Sequence, residues 1–204
     1  EIQMANLPPE ARDVIAECGR LPLGLALCGG MVAGGTRWPD LLEALREHDL
    51  EYLSTDHPPE EHQQNVWRAM DVSIRALPED QRDRFAELAV FALDTGAPEA
   101  AVETLWGHTA ALSPRHARKL LADFGRRSLI QQTRGPSGEA QAAARITLHD
   151  LLHNFATGMA EKRFGSSAKL HTRLLEAYQQ KCPQGWPTGP NAGYFFEHLR
   201  EHLL

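Results

Sequence analysis

His149-Asp150-Leu151-Leu152-His153 sets two imidazoles one helical turn apart with a carboxyl group between them, the spacing by which an HExxH helix holds zinc and activates water. The acid is Asp rather than Glu, about a bond length too short to reach a metal-bound water, and His149 stands at the helix start. A metalloprotease is therefore not expected, and no metal ligands are assigned. His198 and His202 repeat the spacing beside an apolar helix face and read as a solvated or partly packed pair. Gly30 and Gly35, followed by Thr36, have the glycine spacing of a phosphate-cradling loop. The lysine of GxxxxGK[ST] is missing, so nothing holds the β and γ phosphates, and no catalytic residue is assigned. Arg115, Arg118, Lys119 and Arg126 share the helix face opposite Leu120 and Phe124, a basic stripe suited to a DNA-reading helix. Two further residues are placed to meet a ligand. Pro22, among Leu21, Leu23, Leu25, Ala26 and Leu27, offers a dry, flat ring face to a planar group, and His149 can aim its ring beyond its own helix.

These residues need rigid supports. Gly19 can end a helix from Glu10 to Cys18 in the left-handed conformation, and Pro22 can open the next without losing an amide donor. That second helix runs to about Met31, where Gly29, Gly30, Gly34 and Gly35 loosen and stop it; Pro39 to about His48 is a third. Ser54 to Gln64, with Pro58-Pro59, is a polar linker and the best domain boundary. Val66, Trp67, Met70, Ile74 and Leu77 then line a helical face, Phe85, Leu88, Ala89 and Ala92 the next, and Asp94 to Pro98 break it. A short helix follows from Pro98 to about Trp106, and Ser113-Pro114 start another with Ala117, Leu120, Leu121 and Phe124 inward. Ser128 to Thr133 and Arg145 to Leu148 are strand-like, joined through a turn at 134–138 and a run of small residues. Thr147, with Asp150 three residues on, has the pattern of a capping box for a helix reaching about Arg163. The expected fold is mainly α: a small helical domain (1–53), a linker (54–64), a winged helix-turn-helix domain with a short β-hairpin wing (65–165), and a C-terminal helical extension (166–204).

The composition suits a globular chain of 204 residues, 42% hydrophobic and 24% charged, with no apolar run of membrane-spanning length. There is no basic, apolar leader, and a cytoplasmic setting is expected. Three cysteines, Cys18, Cys28 and Cys182, without CxxC spacing, argue against a disulfide framework or zinc ribbon and read as reduced packing residues. A net charge of −6 argues against wholesale nucleic-acid binding, and the basic stripe reads first as a solvated or protein-facing surface. The absence of an initiator methionine, and of a cap or polar tail after Leu204, leads us to expect a piece of a longer protein.

Arg20-Leu21-Pro22-Leu23 resembles the GLPL element of the NB-ARC type of STAND nucleotide-binding switch proteins, with Arg20 in place of the first glycine. Leu148-His149-Asp150 resembles the MHD motif of the same family, with Leu148 for Met, and the order and spacing of the two elements agree with that architecture. The resemblance implies that Pro22 packs on the adenine of a bound nucleotide, with Leu21 and Leu23 supporting it. It also implies that His149 contacts the β-phosphate of ADP, with Thr147 and Asp150 organising its turn. It further implies an upstream P-loop domain binding ADP or ATP with Mg in the full-length parent, downstream WD40 or similar sensor repeats, and self-oligomerisation on activation. The chain itself would be a non-enzymatic module that binds no cofactor alone. The alternative is a winged-helix DNA-binding regulator reading DNA through Arg115, Arg118, Lys119 and Arg126.

Overall fold

A computed structural model describes residues 7–47, 64–93, 96–133, 144–190 and 194–203. They form ten α-helices and one small antiparallel sheet, a mainly α fold with a short β-hairpin. The chain divides into two compact units, the described parts of Glu1–Arg82 with Arg126–Leu129, and those of Asp83–Gly125 with Ile130–Leu204. The linker expected at 54–64 lies, apart from Gln64, outside the described residues.

The first unit contains α1 (Pro9–Glu17), α2 (Pro22–Ala33), α3 (Trp38–Glu47) and α4 (Gln64–Arg75). Prolines at the first turns of α1 and α2 supply the fixed backbone angle a helix start needs where no partner for an amide is required. Val14 and Cys18, Cys28 and Met31, Leu41, Leu42 and Leu45, and Ala69 and Val72 of α4 make one core. The Val66, Trp67, Met70, Ile74 and Leu77 face is buried as the spacing predicts. Gly29 and Gly30 do not end α2, which continues to Ala33. Gly30 instead lets α2 approach the chain at Arg127: a Cβ there would stand 2.9 Å from the Arg127 Cα.

In the second unit α5 (Glu79–Glu87), of which only the last residues belong here, runs into a 3-10 turn, Leu88–Val90. There follow β1 (Ala97–Pro98), α6 (Glu99–Ala110), α7 (Pro114–Arg126), β2 (Gln131–Thr133), β3 (Arg145–Thr147), α8 (Asp150–Phe164), α9 (Ser167–Gln179) and α10 (Phe195–His198). Phe124 of α7 is met edge-on by Phe85 and Trp106, with centroids 5.9 and 6.1 Å away. The sheet order is β1-β3-β2, with Ala97 opposite Ile146 and Gln131 opposite Thr147. β1 is not foreseen by periodicity, because two residues between a glycine and a helix start are too short to show a period. The turn expected at 134–138 lies outside the described residues. The run Tyr194 to Leu204 does not form one helix: α10 gives way to a 3-10 turn, Leu199–His202. Its buried Tyr194 stacks parallel to Tyr178 of α9, and the Tyr194 hydroxyl lies 2.6 Å from His202 Nε2, whose Nδ1 lies 2.7 Å from His171 Nδ1.

Candidate functional site

Pro22 belongs to the first unit, and its position follows from how α1 stops. Gly19 N–H donates to the Ala16 carbonyl at 2.9 Å and Arg20 N–H to the Ile15 carbonyl at 3.1 Å, the paired bonds of a Schellman end. Gly19 and Arg20 are both left-handed, with φ of 62° and 59°. Leu21 then extends (φ −78°, ψ 132°), as the residue before a proline must, and its carbonyl accepts from Leu25 N–H at 3.0 Å. The Pro22 ring is exposed, flanked by half-buried Leu21 and Leu23. Beneath it Gly24 is buried, and a Cβ there would stand 3.2 Å from the Cβ of Cys18. Cys18 Sγ in turn lies 3.3 Å from Cys28 Sγ.

His149 belongs to the second unit and is exposed. The expected capping box is corrected here. Thr147 is the last residue of β3, Asp150 is the first of α8, and the cap is His149 itself, whose Nδ1 accepts from Leu151 N–H at 3.2 Å. An accepting Nδ1 carries no proton, so in the neutral ring the proton is on Nε2, which is left as a donor. Asp150 in the first turn sits where a carboxylate is favoured by the helix dipole. His149 Nδ1 caps the helix while His153 Nε2 is 3.1 Å from the Phe91 carbonyl, and no cluster able to hold a metal occurs among the described residues.

On α7, Arg115 and Lys119 are exposed. Arg118 is committed to α6: its guanidinium is 2.7 Å from Glu103 and 3.8 Å from Glu99. The stripe therefore presents less positive charge than its sequence suggests. Arg126 is exposed at the last position of the helix.

One charged cluster is not legible in the sequence. Glu87 is fully buried, with Arg84 at 2.9 Å, the Thr109 hydroxyl donating to it at 3.0 Å, and Arg173 at 3.5 Å. Burial pushes its carboxyl up to about 7, against the pull of Arg84, the Thr109 bond and Arg173. The Arg84/Glu87 spacing reads as an ordinary surface pair along a helix, and only the packing of α5, α6 and α9 encloses it.

No protein-family model matches the sequence. The chain is 27% identical to apoptotic protease-activating factor 1 of Danio rerio over 98% of its own length, and 25% identical to the Homo sapiens protein over 99%. It is 28% identical over 76% of its length to the putative disease resistance protein RGA4 of Solanum bulbocastanum. The chain spans 15% of the length of each of these relatives. Its homologues are therefore apoptotic protease-activating factor 1 and plant disease resistance proteins, a match consistent with the C-terminal part of an NB-ARC region.

Proposed function

We propose that this chain is the regulatory, non-enzymatic part of a cytoplasmic STAND signalling protein, which favours the ADP-bound state and relays nucleotide exchange to oligomerisation or effector activation. In this reading residues 1–53 form the helical domain, 54–64 the hinge, 65–165 a winged-helix domain and 166–204 a connector toward sensor repeats such as WD40. An upstream P-loop domain supplies the ADP or ATP site with its Mg. Pro22 offers its ring face to the base, supported by Leu21 and Leu23. His149 donates from Nε2 to a diphosphate oxygen, its ring held by the bond from Leu151 N–H and its helix start by Asp150. The observation that carries the reading is this cap, which leaves an exposed imidazole with its free nitrogen in the donor state that an anionic oxygen requires.

The test uses the full-length protein. His149→Asn keeps a good helix cap but removes the Nε2 donor. Loss of a hydrogen bond to a charged group is worth about 1.5–3 kcal/mol, or about ten- to a hundredfold in ADP retention. ADP should leave faster and basal assembly should rise at equal protein abundance. ADP retention like that of the wild type would reduce His149 to a helix cap.

A further inference from the structure

Cys18 and Cys28 are ten residues apart in sequence and are brought together by the corner between α1 and α2, with 3.3 Å between their sulfurs. Both are free thiols, and both are buried. Cys182, the remaining cysteine, is also buried but lies in the other unit. We propose that Cys18 and Cys28 are an oxidisable pair, a modification site that a peroxide converts to an intramolecular disulfide across the Pro22 corner.

The geometry supports each step. The sulfurs must close from 3.3 Å to the S–S bond length of about 2.05 Å, a change within reach of side-chain rotation. Cys18 is the residue that ends α1, and it is followed at once by exposed Gly19 and Arg20, so fraying of a single helical turn uncovers it. The Cys28 thiol bonded to its sulfur draws the Cys18 pKa down, and the same contact together with burial pushes Cys28 up, which makes Cys18 the nucleophile and Cys28 the resolving thiol. In the first step the Cys18 thiolate attacks one peroxide oxygen, the O–O bond breaks, and Cys18 becomes a sulfenic acid as hydroxide leaves. In the second, the Cys28 sulfur attacks the Cys18 sulfur and the sulfenic oxygen leaves as water with the Cys28 proton. The two thiols lose two electrons and two protons, and hydrogen peroxide takes up both to give two waters. The bond would tie the end of α1 to the middle of α2 and remove the freedom of the corner that presents Pro22. The proposal is independent of the nucleotide-switch reading.

The experiment treats the purified chain with hydrogen peroxide, then denatures it, alkylates it and weighs it. The expected product has lost two hydrogens and takes one alkyl group, on Cys182, where the untreated chain takes three. Trypsin cuts after Arg12, Arg20 and Arg37, so the two cysteines fall in separate peptides that should run linked until reduced. Cys28→Ser should leave Cys18 as a sulfenic acid trapped by dimedone, and Cys18→Ser should leave Cys28 unmodified. Three alkylatable cysteines at a peroxide dose that already oxidises a methionine, or a link that involves Cys182, would overturn the proposal.

Discussion

Arg20 holds a backbone conformation that suits glycine: its φ of 59° costs a residue with a Cβ about 1–2 kcal/mol. The Schellman end itself needs only Gly19 in this region, and Arg20 is a second left-handed residue before Leu21 extends into Pro22. Arg20→Gly is expected to stabilise the chain by about 0.5–1 kcal/mol, after allowance for the greater freedom of glycine in the unfolded state. A urea midpoint that rises without a change of slope would show it, and a fall would mean that the arginine side chain contributes more than its backbone costs. At His149 a helix does start, but with a different cap from the one expected. The sequence suggests a Thr147 cap, whereas the ring nitrogen does that work, since β3 continues through Thr147 and leaves it no freedom to bend back.

Within α2, neighbouring glycines have opposite roles that no sequence pattern separates. Gly29 is exposed with open space where a Cβ would go, while Gly30 faces the Arg127 backbone at 2.9 Å. Gly29→Ala should stabilise the chain by about 0.5–1 kcal/mol through helix propensity. Gly30→Ala should destabilise it by about 1–3 kcal/mol, because backbone atoms cannot swing aside as a side chain can. Thermal melts of the pair decide the matter, and equal shifts of either sign would contradict the close approach. Helices α3, α4 and α7 were legible because each carries a clean apolar stripe, and Pro9, Pro22 and Pro114 mark three of the starts. What stayed hidden depends on contacts distant in sequence: β1, whose partner lies about fifty residues away, the buried Glu87, and the recruitment of Arg118 by Glu103.

For the molecule as a whole, the nucleotide-binding groups that the reading assigns amount to one apolar ring and one imidazole donor. Added to a net charge of −6, they are too few to hold a diphosphate. The chain alone is expected to bind ADP or ATP no tighter than about 1 mM, some 4 kcal/mol, and to hydrolyse neither. Micromolar binding by calorimetry, or turnover above a blank, would contradict this. No described helix is long and apolar enough to cross a membrane. Pro22 and His149 are singled out by residue type and spacing because an apolar corner and a helix start are local features, whereas the groups that would complete a nucleotide site depend on contacts distant in sequence.

The contact of Tyr194, His202 and His171 has a direction. The buried phenol satisfies its own hydrogen by donating to His202 Nε2, which places the His202 proton on Nδ1, facing a bare Nδ1 on His171. An added proton turns the sequence around, strands the phenol hydrogen and leaves a charge in a buried site. Burial and the neighbouring His171 and His198 accordingly hold His202 down at about 4, with Glu201 opposing them, and burial lowers His171. The unfolded chain takes up this proton near the ordinary value of 6.5 and the folded chain only later, so the His202 contribution to stability drains away as pH falls from 6.5 through about 4, while Glu87, raised to about 7, contributes in the opposite sense over the same range. His202→Gln should remove the His202 contribution, so the stability difference between variant and wild type should change between pH 6.5 and 4 in melts of both, and a constant difference would contradict the reading. Three aromatic side chains thus give the C-terminal end of the second unit a contribution to stability that acid removes.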